Sequence, residues 1–316
     1  MLSKILWSIC GLLIILGAGF LVFKYKIIIN RPQVLGTNVY KAINTTAPVF
    51  DKIPTKINQS SDPNILSKAA YLMDADTAYP LYSQEADEKL PVASLTKMIT
   101  ALVVLENHPN NLQDEVTITY KMIAVVGTDI QLKPGEKMLV ENLLNGLLIM
   151  SGNDTANALA EHFGGKDPFV KEMNEKAKTI GAINTSFQDP AGLSEDGYST
   201  AKDLALIITY AIKNSKFLEI INTPKKTITT TDGLYSHDLV NSNRLIREEE
   251  GAYYYPYAIG GKTGFTNEAG HVMVTCAEKD KHKIIAVVLN TNESSITASA
   301  KESKKLLEWG FTNWTW

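Results

Sequence analysis

Three short strings of hydroxyl, amine and amide side chains follow one another along this chain of 316 residues. They are Ser94-Leu95-Thr96-Lys97, Ser151-Gly152-Asn153 and Lys262-Thr263-Gly264. A serine hydroxyl is a weak nucleophile until a neighbouring base takes its proton, and a lysine amine can be that base. The first string therefore predicts a nucleophile with its own base. The other two add a hydroxyl, an amide and a second cation for binding and proton transfer.

The spacing of Ser94 and Lys97 brings the two side chains together, because residues i and i+3 share one face of a helix. The start of a helix at Ser94 also supplies partial positive charge for an oxyanion. We expect burial and the charge of Lys262 to lower the pKa of Lys97, which leaves a neutral fraction to act as base. Taken alone, the pair fits equally well a buried serine beside a lysine whose stem packs on apolar neighbours.

A second Ser-x-x-Lys pair, Ser199 and Lys202, has the same spacing. Thr200 and Asp203 have the pattern of a capping box, so this pair is typical of a helix start. No Ser-x-Asn string lies between it and Lys262. We therefore interpret Ser199 as structural and Ser94 as the candidate nucleophile.

The second string falls between two predicted helices, where a loop can project Ser151 and Asn153 into a cleft. On its own it is more typical of a loop whose side chain caps the next helix. The third string lies in a predicted strand whose glycines allow close approach of another backbone. A substrate could pair with this edge as an extra strand, with Lys262 and Thr263 facing its carboxylate. A phosphate-binding loop is excluded, since Pro256 stands where that motif requires glycine.

Apolar periodicity and turn residues predict an α+β domain, an antiparallel sheet flanked by helices around a buried central helix. The expected helices are Leu95–Leu105, Val140–Met150, Asp154–Phe163, Lys171–Ile180, Ala201–Lys213 and Lys301–Trp309. The expected strands are Ala69–Met73, Ala258–Thr266, His271–Ala277 and Lys283–Leu289. Short connections between the last three strands require antiparallel neighbours.

The N-terminal segment 1–29 is predicted to be a membrane anchor. Residues 5–23 carry no charge, and as a helix they would span about 28 Å, close to a bilayer core. A cleaved signal peptide is the alternative, but its apolar core is usually shorter and followed by a small-residue cleavage site. Lys24, Lys26 and Arg31 follow the uncharged run, and their positive charge favours a cytoplasmic location for the part of the chain after the anchor. We nevertheless expect the domain to lie on the extracytoplasmic face, because the reaction predicted from the three strings takes precedence over this charge signal.

Residues 30–63 contain several prolines and are predicted to be an extended linker. Residues 64–316 are predicted to be the folded domain.

Composition excludes some other classes. A net charge of −3 without a basic block gives no indication of a nucleic-acid partner. The five histidines lack metal-ligand spacing, so neither a metal nor another cofactor is expected. Cys10 lies in the apolar N-terminal run, which makes a disulfide with Cys276 improbable.

The chain resembles the low-molecular-mass penicillin-binding proteins, the serine D-alanyl-D-alanine carboxypeptidases of peptidase family S11 type. The resemblance covers about residues 65–311. It is carried by the segments Pro91–Met98, Leu132–Glu136, Met150–Asp154, Gly261–Thr266 and Glu302–Leu307. It implies the β-lactamase/transpeptidase-like fold and a single-pass protein of the bacterial cell membrane. The implied partners are the peptidoglycan stem peptide, β-lactam antibiotics and, through residues 5–23, the lipid bilayer.

By this resemblance Ser94 is the acylated nucleophile, Lys97 its base, and Ser151 and Lys262 proton relays. Asn153, Thr263, Gly264, Phe265 and Thr266 would bind substrate, and the backbone N–H groups of Ser94 and Phe265 would form the oxyanion hole.

One departure concerns the substrate carboxylate. Members of the family often carry an arginine just before the last helix, and here Thr297–Lys301 contains none, although Lys301 could substitute as a point charge. A catalytically weak or inactive penicillin-binding or muropeptide-sensing domain is therefore an alternative. A serine β-lactamase is a weaker alternative, because no Glu-x-x-Leu-Asn string for a second base lies between Asn153 and Lys262.

Overall fold

Apolar runs in the first and last parts of the domain form the strands of one sheet, and the segments between them are mostly helical. The computed structural model describes residues 53–57, 61–291 and 295–316. Its strands are β1 (Thr55–Lys56), β2 (Ser67–Asp74), β3 (Pro80–Gln84), β4 (Glu115–Thr117), β5 (Lys137–Leu139), β6 (Lys225–Thr229), β7 (Ser236–Val240), β8 (Ala258–Thr266), β9 (Gly270–Lys279), β10 (His282–Thr291) and β11 (Trp314–Thr315). Its α-helices are α1 (Lys97–Asn107), α2 (Tyr120–Ile123), α3 (Val140–Asn145), α4 (Asn153–His162), α5 (Lys166–Ile180), α6 (Ala201–Ala211), α7 (Ser215–Ile221) and α8 (Ala298–Asn313).

The central sheet has five antiparallel strands in the order β3-β2-β10-β9-β8. Successive side chains of a strand point to opposite faces, and in β10 both sets are apolar. Ile285, Val287 and Leu289 belong to one core. Ile284, Ala286 and Val288 belong to a second core on the other face, together with residues of α8. Burial on both faces explains why these strands are continuous apolar runs rather than alternating ones.

The first core surrounds α1. Every residue from Lys97 to Leu105 is buried, which confirms the predicted central helix. A single turn of 3₁₀ helix, Ala93–Thr96, precedes α1 and contains Ser94. Side chains at i and i+3 eclipse in a 3₁₀ turn, so this irregularity sets Ser94 directly above Lys97.

Most predicted elements are confirmed, and the predicted bounds of two helices are wrong by three residues or more. Helix α5 begins at Lys166 rather than at the predicted Lys171. Pro168 does not prevent this earlier start, because it lies in the first turn, where its missing N–H group has no helical partner to lose. Helix α8 runs from Ala298 to Asn313, longer than the predicted Lys301–Trp309. The sequence analysis missed α7 and the hairpin of β6 and β7, which are too short for a clear period.

The predicted anchor, residues 1–29, lies outside the described residues, as does most of the predicted linker. Within that linker, β1 pairs antiparallel with β11 through Thr55–Thr315 and Lys56–Trp314. Across 53–57, 61–291 and 295–316, none of the helices combines the length and the apolar character needed to cross a bilayer.

Candidate active site

The first of the three strings forms a close serine–lysine pair. Lys97 Nζ lies 2.8 Å from Ser94 Oγ. Ala93, directly before the serine, has a left-handed backbone (φ 47°) that a residue with a side chain rarely adopts. Such strain persists only where the surroundings impose it, and it is typical of functional turns. The 2.8 Å distance between Lys97 Nζ and Ser94 Oγ confirms the predicted proximity of the two side chains.

The Lys97 amine has two further partners. Its Nζ lies 2.7 Å from Asn153 Oδ1 and 2.8 Å from the carbonyl oxygen of Ala191. Both of these oxygens can only accept, whereas the Ser94 hydroxyl can also donate. A neutral amine has two N–H groups and one lone pair. It satisfies all three contacts when its lone pair accepts the Ser94 proton, which is the arrangement that a general base requires.

Burial lowers the pKa of Lys97 to about 7, against the smaller upward effect of the Asp189 and Asp154 charges. Burial also lowers the pKa of Lys262 well below its usual range, and the charge of Lys97 lowers it further. The predicted effect of burial on Lys97 is confirmed. The predicted lowering by the second cation is wrong for Lys97, where the neighbouring charges, Asp189 and Asp154, raise the pKa; it is the pKa of Lys262 that the charge of the other lysine lowers. A neutral fraction of Lys97 is present at neutral pH.

Ser151 and Lys262 form a second hydroxyl–amine pair. Lys262 Nζ donates to Ser151 Oγ at 2.7 Å and to the Thr263 carbonyl oxygen at 2.9 Å. Ser151 follows a π-helical turn, Gly146–Met150, and adopts a left-handed backbone (φ 70°). Turns of π-helix occur frequently at functional sites. The second and third strings therefore meet, although 111 positions separate them.

Asn153 and the neighbouring Asp154 hold one wall of the site. Asn153 Nδ2 donates to the Val126 carbonyl oxygen at 2.6 Å. The buried Asp154 carboxylate accepts from the backbone N–H groups of Ile130, Leu132 and Thr155, and burial raises its pKa. The loop before β5 is thus tied to the start of α4, a contact that the sequence analysis did not include.

Strand β8 forms the opposite wall and is the edge of the central sheet, as predicted. A Cβ at Gly264 would lie 2.9 Å from the backbone nitrogen of Ser94, so glycine is needed for this close approach. Thr263 Oγ1 donates to Ser242 Oγ at 2.7 Å. Thr266 lies at the end of β8, where its hydroxyl accepts a hydrogen bond from the Ala269 N–H.

A cleft of about 660 Å³ opens over these groups. Six of the predicted residues line it: Ser94, Ser151, Asn153, Thr263, Gly264 and Phe265. Lys97 and Lys262 are fully buried beneath it, and Thr266 is not among its lining residues. The sequence analysis missed Ser242, Arg244 and Arg247 in the lining. None of the described residues that line the cleft carries a carboxylate.

The second Ser-x-x-Lys pair has a different environment. Ser199 is buried and bonds to Thr185 Oγ1 at 2.8 Å. Lys202 lies at the surface with Asp87. Thr200 accepts from the Asp203 N–H and caps α6. The interpretation of Ser199 as structural is therefore confirmed.

A turn after Asp189 supplies the third partner of Lys97. The Asp189 carboxylate accepts from the backbone N–H groups of residues 191–194, and this fixes the Ala191 carbonyl against the amine. Gly192 in this turn has φ +81°, and a Cβ there would lie 1.9 Å from the Ala93 carbonyl oxygen. The Asp-Pro-x-Gly pattern is a turn signal that could have located this loop from the sequence.

Gly192→Ala is therefore expected to destabilise the domain by about 3 kcal/mol or more, because it combines an unfavourable backbone with a steric clash. Gly181→Ala is the matched control: it also has a positive φ (+97°), but no atom lies within 4 Å of its Cβ position. It should cost about 1–2 kcal/mol. Thermal unfolding of both variants measures the difference, and equal melting temperatures would contradict the clash.

Comparisons with known proteins agree with this arrangement. The model of the D-alanyl-D-alanine carboxypeptidase family of peptidases matches residues 56–293. The chain is 35% identical over 254 residues to D-alanyl-D-alanine carboxypeptidase DacF of Bacillus subtilis, covering 78% of this chain and 63% of that protein. It is 33% identical over 248 residues to D-alanyl-D-alanine carboxypeptidase DacB2 of Mycobacterium tuberculosis, covering 75% and 80% of the two chains.

A solved structure extends the likeness to the fold. The crystal structure of the Streptomyces K15 DD-transpeptidase superposes with a TM-score of 0.74 at 32% identity, covering 80% of this chain and all of that chain. The matched region thus spans less than two thirds of the Bacillus subtilis relative but the whole of the Streptomyces structure. The fold is that of a serine peptidase of the penicillin-binding type. The chain belongs to the D-alanyl-D-alanine carboxypeptidase family.

Proposed function

We propose that the protein is a D,D-carboxypeptidase that removes the terminal D-alanine of peptidoglycan stem pentapeptides through an acyl-enzyme on Ser94. The observation that carries the proposal is the contact of Lys97 Nζ with Ser94 Oγ at 2.8 Å. Its other two partners accept hydrogen bonds from a neutral amine, whose lone pair then faces the serine. Family membership supports the same reaction class.

In the acylation step Ser94 Oγ attacks the carbonyl carbon of the penultimate D-alanine as its proton passes to Lys97 Nζ. The N–H groups of Ser94 and Phe265 stabilise the oxyanion; one such donor contributes about 3 kcal/mol. The C–N bond then breaks, and the proton held by Lys97 passes through Lys262 and Ser151 to the leaving amine of D-alanine, which leaves Lys97 neutral again. Water next attacks the ester carbon and gives a proton to Lys97. Lys97 returns this proton to Ser94 Oγ as the ester C–O bond breaks, which releases the serine and the shortened peptide.

The open edge of β8 supports binding of the substrate as an additional antiparallel strand. Thr263 and Gly264 lie on this edge, and Asn153 faces them across the cleft with its amide. Phe265, 55% exposed, provides an apolar rim. Thr266 contributes through the turn that ends β8 rather than through direct contact.

A β-lactam would acylate Ser94 in the same way and remain bound. Rapid hydrolysis of that ester, as in a serine β-lactamase, needs a second base beside the acyl carbon, and none of the described cleft residues is acidic. This favours inhibition by β-lactams over their turnover. A domain that senses muropeptides without being acylated would not need an activated serine, whereas a penicillin-acylated sensor would, so D-alanine release is what separates the peptidase from that sensor.

The direct test is D-alanine release from an N-acylated L-Lys-D-Ala-D-Ala peptide by the purified domain. We expect release of one equivalent per peptide, with no hydrolysis of the remaining D-Ala bond. Covalent penicillin binding without any D-alanine release would contradict the peptidase and favour the sensing domain.

The rate of acylation should rise with pH around an apparent pKa of about 7, since only neutral Lys97 can take the serine proton. Below pH 6 we expect a loss of about tenfold for each pH unit. The second-order rate constant for a fluorescent penicillin, measured from pH 5 to 9, tests this. A rate that is constant across this range, or that falls as pH rises through 7, would contradict a lysine base.

The same proposal places residues 5–23 in the cell membrane and the domain on its extracytoplasmic face. The support is the uncharged run of 19 residues and a substrate class that lies outside the membrane. Fractionation of cells that express the full chain or a form lacking residues 1–29 tests the anchor: only the full chain should sediment with membranes. External protease should degrade the domain in spheroplasts, and a protected domain would contradict the orientation.

A further inference from the structure

A buried histidine–glutamate pair lies outside the cleft and takes no part in the reaction described above. His237 belongs to β7, and Glu136 directly precedes β5. His237 Nε2 lies 2.9 Å from Glu136 Oε2, and the two side chains are only 9% and 1% exposed. Apolar residues of similar size often stabilise a fold as well as a buried ion pair does. Stability alone therefore does not explain the pair.

The second ring nitrogen fixes where the protons of the pair lie. His237 Nδ1 is 2.8 Å from the carbonyl oxygen of Ile130, which can only accept a hydrogen bond, so Nδ1 carries a proton. One further proton lies between Nε2 and Glu136 Oε2. The other carboxyl oxygen, Oε1, is buried and has no partner among the described residues. Glu136 therefore acts on the histidine alone and holds the ring with Nδ1–H toward Ile130.

Ile130 is held at both of its backbone groups. Its carbonyl oxygen accepts from His237, and its N–H donates to Asp154 Oδ2 at 3.1 Å. Its side chain packs on the second string, since a Cβ at Gly152 would lie 3.2 Å from Ile130 Cγ2. Gln131, the next residue, has a left-handed backbone (φ 64°) that a residue with a side chain rarely adopts. Such strain persists only where neighbouring contacts impose it, and the two hydrogen bonds of Ile130 lie directly beside it.

The residues just before Ile130 hold Asn153 in the cleft. The Val126 carbonyl oxygen accepts from Asn153 Nδ2 at 2.6 Å, and the Thr128 carbonyl oxygen accepts from the Asn153 backbone N–H at 2.8 Å. Because Nδ2 is held there, the amide presents Oδ1 to Lys97 Nζ at 2.7 Å. A displacement of this segment would therefore move the amide that contacts the lysine base.

We propose that His237 is a positioning residue for the reaction. Its Nδ1–H group holds Ile130, and this contact fixes the wall of the cleft that orients Asn153 toward Lys97. Glu136 supports it by fixing the tautomer of the ring. This inference rests on the proposed function. It gives the hairpin of β6 and β7 a part in catalysis without any contact with the substrate.

Two substitutions separate the two hydrogen bonds of His237. The amide nitrogen of asparagine can take the place of Nδ1, and that of glutamine the place of Nε2. His237→Asn therefore keeps the bond to Ile130 and leaves the Glu136 carboxyl without a partner. His237→Gln keeps the bond to Glu136 and leaves the Ile130 carbonyl without a donor. A buried charged group without a partner is more costly than a buried carbonyl, so His237→Asn should have the lower melting temperature.

The acylation rates should have the opposite order. We expect the rate of His237→Asn to stay within about threefold of wild type and that of His237→Gln to fall about 10- to 100-fold, since a displacement of about 1 Å can lower a rate by that amount. The second-order rate constant for a fluorescent penicillin, measured where both variants are folded, gives this order. Tyr210→Phe is the control, because it removes a 3.0 Å hydrogen bond to Glu106 away from the cleft. It should lower the melting temperature and leave the acylation rate unchanged.

Acylation rates that follow the melting temperatures, or wild-type rates in both His237 variants, would overturn the inference. A second measurement uses wild-type protein and does not depend on the folding of these variants. Nitrogen NMR of the His237 ring, assigned by its change in Glu136→Gln protein, should show a proton on Nδ1, and a ring protonated on Nε2 alone would also overturn the inference. Acylation by a penicillin does not require release of D-alanine. Wild-type protein that is acylated but releases no D-alanine would therefore contradict the proposed function and leave the role of His237 standing.

Discussion

Ser94→Ala should abolish covalent labelling by a fluorescent penicillin and lower D-alanine release by about 10,000-fold or more. Removing the nucleophile of a covalent mechanism eliminates the acyl-enzyme, and the residual rate then comes from binding and the oxyanion hole alone. The substitution deletes one oxygen at a residue on the cleft surface, so the fold should not change. Labelling on denaturing gels and an enzymatic D-alanine assay measure the two effects.

Ser199→Ala is the matched control, because Ser199 has the same Ser-x-x-Lys spacing. Its hydroxyl bonds to Thr185 inside the protein and does not line the cleft. We expect labelling and D-alanine release to remain close to wild type, with a loss of stability of about 1 kcal/mol from the broken hydrogen bond. Persistent labelling of Ser94→Ala, or loss of labelling in Ser199→Ala at an unchanged melting temperature, would reverse the assignment.

Lys97→Met should lower the acylation rate by about 1,000-fold or more, because methionine keeps the apolar stem but cannot accept the serine proton. Lys97→Arg should fail similarly, since a guanidinium stays protonated at all relevant pH values. The pH dependence near 7 should disappear in both variants. Rate constants for penicillin acylation, combined with thermal unfolding to verify the fold, provide the measurement.

Lys262→Arg distinguishes the two lysines. In the proposed function Lys262 acts through Ser151 on the leaving amine and not on the nucleophile, and arginine keeps a hydrogen-bond donor for Ser151. We therefore expect Lys262→Arg to keep more acylation activity than Lys97→Arg. An equal or greater loss in Lys262→Arg, or wild-type acylation in Lys97→Arg, would show that Lys97 is not the base.

The sequence was sufficient for the parts of the site that depend on local geometry. Ser94 and Lys97 lie one turn apart, so their contact follows from helical spacing. The helix break at Ser151 and the strand around Lys262 were visible in the apolar pattern and the glycines. The antiparallel order of β8, β9 and β10 followed from their short connections.

Other parts depend on contacts between distant segments and could not be predicted in this way. Arg244 lies in a polar 3₁₀ turn without periodicity, and its position at the cleft depends on the contact of Ser242 with Thr263. The three partners of Lys97 come from separate parts of the chain. The carboxylates of Asp154 and Asp189 are likewise close to Lys97 only in the folded protein, which is why the sequence analysis assigned too large a role to Lys262 in lowering its pKa.

The site of the covalent adduct tests the assignment of Ser94 as the nucleophile. Wild-type protein is incubated with a penicillin, quenched in acid, digested and analysed by mass spectrometry. We expect one adduct per chain, on the peptide that contains Ser94, and prior incubation with excess D-Ala-D-Ala peptide should slow its formation. An adduct on the peptide that contains Ser151 or Ser199, or D-alanine release from a protein that forms no adduct at all, would contradict it.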